Sequence, residues 1–176
     1  MNAGDEADFR NFAESNMRGL RRTAFLLCGD WHHADDVVQT VLAKLYANWT
    51  KIQRRERVEA YVRTMIVRAT FDRRRRFSWQ REITSARPPE TPSDDNHHIE
   101  DRIVLLAALA KMPPRQRAVL VLRFWDDLDV ADTAAALGCS EGTVKSQTAR
   151  GLTNLRALLT DPELLAGTQP TKGRPS

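Results

Sequence analysis

The 176-residue chain has only two cysteines, and aromatic residues make up 7% of it. Cys28 and Cys139 stand far apart, outside any CxxC or Cys/His spacing that could wrap zinc, so both read as buried thiols rather than metal ligands or a redox pair. The adjacent pairs His32-His33 and His97-His98 lack acidic or cysteine partners at ligand spacing and read as solvated loop histidines. No apolar stretch approaches the roughly 18 residues that a membrane helix requires. The first residues, Met1 to Asp8, are acidic and lack the basic and apolar regions of a signal peptide, which predicts a cytoplasmic protein. GxGxxG, a phosphate loop and a nucleophile constellation are all missing, so neither an enzyme nor a cofactor is expected.

What is there is helix. The 41% hydrophobic fraction argues against wholesale disorder, and the length suits one domain or two small ones. Phe9, Phe12, Ala13, Leu20, Ala24 and Leu27 recur at helical spacing up to Gly29-Asp30. A second helix from near Ala34 carries Val37, Val38, Val41, Leu42, Leu45 and Trp49. A third, from about Val58 to Arg76, is expected to bury Tyr61, Val62, Met65, Ile66 and Ala69. Each stripe needs a partner, so the three predict a small bundle. The four tryptophans, Trp31, Trp49, Trp79 and Trp125, are expected mainly in packing roles, with Trp79 beside Phe77 and the arginine run as the stacking candidate.

After Phe77 the period fails in a proline-rich polar stretch, Ser85 to Asn96, which reads as an interdomain linker. Periodicity returns at Ile99, and Pro114 can open a new helix carrying Ala118, Val119, Leu122 and Phe124. Two more helices are expected over Val130 to Leu137 and from about Glu141 to Leu159, and the tail beyond Asp161-Pro162 is expected to fray. Charge follows this division. Residues 57 to 87 carry nine arginines against three acids, a net +6, whereas residues 88 to 101 carry five acids and no Lys or Arg. One segment suits polyanions and its neighbour repels them.

The most specific local pattern runs from Asp129 to Ser146. Asp129 can cap one helix, Gly138 can supply the left-handed residue that stops it, Ser140 can cap the next, and Glu141 complements that helix's dipole. Ala134 is small where the helices cross, and Leu137, Cys139 and Val144 supply apolar contacts. This pattern predicts a helix-turn-helix whose second helix enters the major groove. Lys145, Ser146, Gln147 and Arg150 on that helix are of the types that meet base edges or phosphates.

With Leu137 to Ser146 in place, and with Ala34 to Tyr46 ahead of it, the chain resembles a bacterial extracytoplasmic-function sigma factor of the sigma-70 class, in the sigma-E-like branch. The first stretch is similar to the family's region 4.2 and the second to its region 2.2, and the resemblance spans about residues 8 to 159. It implies an all-α protein of two small helical modules joined by a flexible linker that leaves their spacing loose. The expected divisions are an N-terminal tail 1–7, a region 2-like module 8–77, an acidic linker 78–98, a region 4-like module 99–159 and a C-terminal tail 160–176. The implied partners are core RNA polymerase and promoter DNA, with an anti-sigma factor as a candidate regulator and no membrane. Asp36, Gln39, Thr40 and Ala43, at i, i+3, i+4 and i+7, are the expected polymerase face. Lys51, Arg54, Arg55, Arg63, Arg68, Arg74 and Arg75 are the expected minus-10 contacts, which hold separated strands and bases taken out of the stack. Lys145, Ser146, Gln147 and Arg150 are the expected minus-35 readers. Arg68 stands where many members of the family have asparagine, which puts the preferred minus-10 base in question. The competing reading is a free-standing helix-turn-helix regulator acting as a dimer, and binding to polymerase separates the two.

Overall fold

A computed structural model of the chain describes residues 2–52, 58–76 and 96–168. Every regular element among the described residues is helical: α1 (Ala3–Cys28), α2 (Trp31–Asn48), α3 (Val58–Arg76), α4 (Asn96–Lys111), α5 (Pro114–Leu120), α6 (Val130–Leu137), α7 (Glu141–Leu159) and α8 (Pro162–Thr168). A 3-10 turn, Trp49–Lys51, follows α2, and a π-type turn, Val121–Trp125, extends α5.

Local chemistry sets the ends. The Asn2 side chain accepts the Asp5 N–H at 2.8 Å to cap α1, and Gly29, at φ 80°, closes it with its N–H on the Phe25 carbonyl. Asp30 follows at once and accepts the His33 N–H at 2.8 Å, so α2 starts at Trp31, ahead of the apolar stripe that marked it near Ala34. His32 and His33 therefore lie in the first turn of α2, and His97 and His98 lie in the first turn of α4, rather than in loops. The linker expected to run to residue 98 likewise gives way to helix at Asn96.

Helices α1, α2 and α3 bury Leu20, Ala24, Leu27, Val37, Val38, Val41, Leu45, Val62 and Ile66 against one another, the stripes expected of a bundle. Two stripe residues depart from expectation. Tyr61 is 49% exposed, because Val58, Val62 and Ile66 form the inward row of α3 and leave it on the flank. Phe124 is 61% exposed because the i→i+5 turn at Val121–Trp125 shifts the register by a residue, turning Val121 and Leu122 inward and Phe124 and Trp125 outward. Trp125, at 53% exposed, thus has no core role, whereas Trp49 is buried at 3% and Trp31 stacks on Phe25 at a centroid distance of 4.1 Å. Trp79 lies outside the described residues.

The expected frayed tail also needs correction. Asp161 accepts the Glu163 N–H at 3.0 Å, which starts α8, and Leu164 is buried where α8 meets α4 and α7. One apolar cluster runs through both modules: Ala118, Val121, Leu122, Leu128 and Ala136 join the buried residues of α1, α2 and α3. Helix α3 packs on α6, so the modules that the linker was expected to hold loosely are seated on each other.

Candidate nucleic-acid interface

The helix-turn-helix forms as its capping residues dictate. Asp129 Oδ1 accepts the Asp132 N–H at 2.7 Å, Gly138 adopts φ 63°, and Ser140 Oγ accepts the Thr143 N–H at 3.2 Å. The Cys139 N–H reaches back to the Ala134 carbonyl at 3.0 Å, which fixes the tight turn between α6 and α7. Ala134, Val144 and Val119 form a small buried cluster with Leu137 and Cys139 packed on it, so α7 is held at its N-terminal end by α5 and α6. That anchoring leaves Lys145, Ser146, Ala149 and Arg150 exposed, with Gln147 half-buried. Ser146 is less free than its exposure suggests, since its hydroxyl donates to the Thr143 carbonyl at 3.0 Å.

The first module divides its candidates. Asp36, Gln39, Thr40 and Ala43 are all exposed on α2, on the side away from the buried Val37, Val38, Val41 and Leu45. The Thr40 hydroxyl donates to the Asp36 carbonyl at 2.7 Å. Next to this face, Arg21 of α1 grips Asp35 of α2 through two hydrogen bonds, Nε to Oδ1 at 2.5 Å and Nη2 to Oδ2 at 2.9 Å. The carboxylate in turn raises the Arg21 pKa above its ordinary value, chiefly through that hydrogen bond. Asp35 escaped the sequence reading because its partner lies in the preceding helix.

Among the expected minus-10 contacts, Lys51 is exposed on the 3-10 turn and Arg68 is exposed on α3. Arg54 and Arg55 lie outside the described residues. Arg74 and Arg75 fall in the last turn of α3, and their side chains lie outside them too. Arg63 is only 23% exposed: its Nη1 lies 3.4 Å from Glu59 Oε2, and its Nε lies 3.8 Å from Asp126 Oδ1 in the second module. Asp126 also accepts the Thr23 hydroxyl of α1 at 2.7 Å. Neither Thr23 nor Asp126 carries a sequence pattern that marks it.

An open apolar groove of about 510 Å³ runs between the modules, with Phe25 and Trp31 on one side and Leu106, Leu109, Leu120 and Leu155 on the other. Arg22 and Arg102 line it as well, and the exposed Phe124 and Trp125 stand at it. Burial raises the Cys28 thiol above its ordinary pKa, which disfavours the reactive thiolate, and its Sγ donates to the Ala24 carbonyl. Among the described residues no cluster of His, Cys, Asp or Glu is arranged to hold a metal, and no helix is long and apolar enough to cross a membrane.

Comparison with known proteins adds to this geometry. Residues 12–80 match the family described as Sigma-70 region 2, and residues 102–155 match Sigma-70, region 4. The chain is 35% identical to an RNA polymerase sigma-E factor of Streptomyces coelicolor over 92% of its own length and 91% of the relative's. It is 30% identical to the ECF RNA polymerase sigma factor SigM of Mycobacterium tuberculosis, over 89% of this chain and 80% of that one. The fold resembles that of the sigma factor RpoE, solved with the anti-sigma factor NepR from Bartonella quintana, at a TM-score of 0.72 and 23% identity, over 88% of this chain and 98% of that one. Such a factor lends promoter specificity to core RNA polymerase and catalyses nothing itself, and the chain belongs to the extracytoplasmic-function sigma factors of the sigma-70 family, with regions 2 and 4 directing promoter-specific transcription initiation.

Proposed function

We propose that the two regions divide the promoter between them, residues 8–77 opening the minus-10 element and residues 99–159 reading the minus-35 element. The observation that carries this reading is the helix-turn-helix, whose anchored α7 exposes Lys145, Ser146, Ala149 and Arg150 together. An Arg or Lys there suits a guanine edge or a phosphate, and half-buried Gln147 suits adenine. Lys51 and Arg68 supply positive charge on the first module, where separated strands need a surface that tracks phosphate. Arg54, Arg55, Arg63, Arg74 and Arg75 complete that set by sequence.

Asp36, Gln39, Thr40 and Ala43 form the face we assign to core polymerase, since their helix draws its stability from the opposite side. The protein acts in the cytoplasm, where that polymerase works. An anti-sigma factor is the regulator we assign to it, with the apolar groove between the modules, flanked by Arg22 and Arg102, as the seat for an amphipathic segment with acidic residues. Run-off transcription with core polymerase over a library of promoters tests the division of labour. Productive templates sharing both a minus-35 and a minus-10 consensus support it. A consensus in one element alone overturns it.

A further inference from the structure

We infer that Arg21 is a positioning residue for the polymerase-binding face: its fork on Asp35 sets the rotation and register of α2 against α1, and with them the place of Asp36, Gln39 and Thr40. This rests on the assignment of Asp36, Gln39, Thr40 and Ala43 to core polymerase and adds what holds them in place.

The buried row of α2 does not supply that precision by itself. Val37, Val38, Val41 and Leu45 are at most 3% exposed and bind the helix into the bundle. Apolar burial is non-directional, so it fixes which side of α2 faces inward more firmly than it fixes the helix's exact rotation. The assigned face is built mainly from short side chains, which have little reach to make up for a displaced backbone. Such a constellation has to be held to about 0.5 Å by the contacts behind it.

Two pairs spaced one helical turn apart supply those contacts. Arg21 and Phe25 lie at i, i+4 on α1, Trp31 and Asp35 lie at i, i+4 on α2, and each of the four touches the other helix. Phe25, anchored in the core, stacks on Trp31 with the two rings 9° from parallel. Arg21 Cζ stands over the Trp31 ring, 5.7 Å from its centroid, while the edge of the same guanidinium donates to both oxygens of Asp35. The cation is therefore held on its face by a ring that the core orients and at its edge by the carboxylate. A planar fork of this kind tolerates little rotation of its partner.

Asp35 stands where that constraint is passed on. It directly precedes Asp36 and lies one turn before Gln39, at the edge of the assigned face. Of the two adjacent acids, one is turned onto Arg21 and the other is exposed. Folding is a poor account of the pair, because the Arg21 and Asp35 side chains are 44% and 37% exposed and an ion pair so open to water contributes little stability. Well-defined geometry with a small stabilising effect fits positioning better than it fits folding.

The test measures how well the full chain competes with labelled wild type for core polymerase, with thermal unfolding of the free chain beside it. Arg21→Gln and Asp35→Asn should each weaken core binding roughly threefold to tenfold, and the two together should be no worse than either alone. The unfolding temperature should shift by about 4 °C at most, which excludes a folding failure as the cause. Arg21→Lys should weaken binding as well, since an ammonium keeps the charge but cannot hold both oxygens in one plane. In an Asp36→Ala/Gln39→Arg background, Arg21→Gln should have no further effect. Wild-type affinity in Arg21→Gln overturns the inference. Full affinity in Arg21→Lys overturns it too, by showing that charge alone suffices. Additive losses in the combined variant would mean that Arg21 touches polymerase itself, and overturn positioning in favour of direct contact. The underlying assignment fails separately: if Asp36→Ala/Gln39→Arg alone leaves core binding unchanged, the face is wrong and the inference falls with it, whereas normal binding by Arg21→Gln alone removes only the inference.

Discussion

Gly151 of α7 lies so close to Leu120 of α5 that a Cβ at position 151 would stand 3.2 Å from Leu120 Cγ and 3.4 Å from both its methyl groups. This close approach sets the separation of the two helices that carry and support the DNA-reading face. Two effects oppose each other on substitution. Alanine gains about 1 kcal/mol of helix propensity over glycine, while the added methyl presses on a side chain that can yield slightly. Gly151→Ala should therefore shift unfolding free energy by less than about 1 kcal/mol. Gly151→Leu has no such room and should cost about 1 to 3 kcal/mol in urea denaturation.

How much of this the sequence disclosed depends on how local the determinant is. The helix-turn-helix was legible because Asp129, Gly138 and Ser140 act within three or four residues of themselves, and each does in the structure what its type predicts. The apolar stripe of α2 was legible for the same reason, since periodicity alone orients it. Phe124 misled because a single i→i+5 turn breaks the period that the reading assumes. Asp126 was invisible because its meaning comes from Thr23, more than a hundred positions away, and no spacing rule joins them.

The exposed face of α2 yields a second prediction. Asp36→Ala together with Gln39→Arg should weaken binding to core polymerase by about 2 kcal/mol or more if the contact is desolvated, because the change removes a carboxylate and brings in the opposite charge. The fold should be unaffected, since Val37, Val38, Val41 and Leu45 remain in place. Co-purification with core polymerase reads the first effect and thermal unfolding the second. Normal co-purification would take this face out of the interface.

A third prediction follows from Asp126, whose pKa is raised mainly by burial, against the opposing pull of Thr23 and Arg63. A carboxyl with a raised folded pKa binds its proton more tightly in the folded chain than in the unfolded one. Its contribution to stability is therefore greatest below the ordinary carboxylate pKa and falls as pH rises through the window up to the raised value. Other carboxylates titrate in the same range, so the useful quantity is the difference between wild type and Asp126→Asn, which keeps an acceptor for the Thr23 hydroxyl and carries no charge. Wild type should lose stability relative to the variant as pH rises through that window. A difference that is flat with pH would show that the buried carboxylate is not strained by its surroundings.

The last prediction separates reading from holding. Lys145→Ala or Arg150→Ala removes an exposed cation from the face of α7 that the helix-turn-helix presents. A good base-edge contact is worth roughly 1 to 3 kcal/mol of discrimination, so each change should reduce transcription selectively on templates that carry the preferred minus-35 sequence. Neutralising Arg74 and Arg75 should act differently. Open complexes should weaken on all promoters, and the salt dependence should flatten by about 0.7 to 0.9 in log–log slope for each phosphate that the protein no longer neutralises. The contrast is decisive because the two groups lie in different modules and each substitution removes the same unit of charge. If Arg150→Ala lowers activity equally on matched and mismatched minus-35 templates, α7 holds backbone at that position, and discrimination has to come from Lys145 and Gln147 instead.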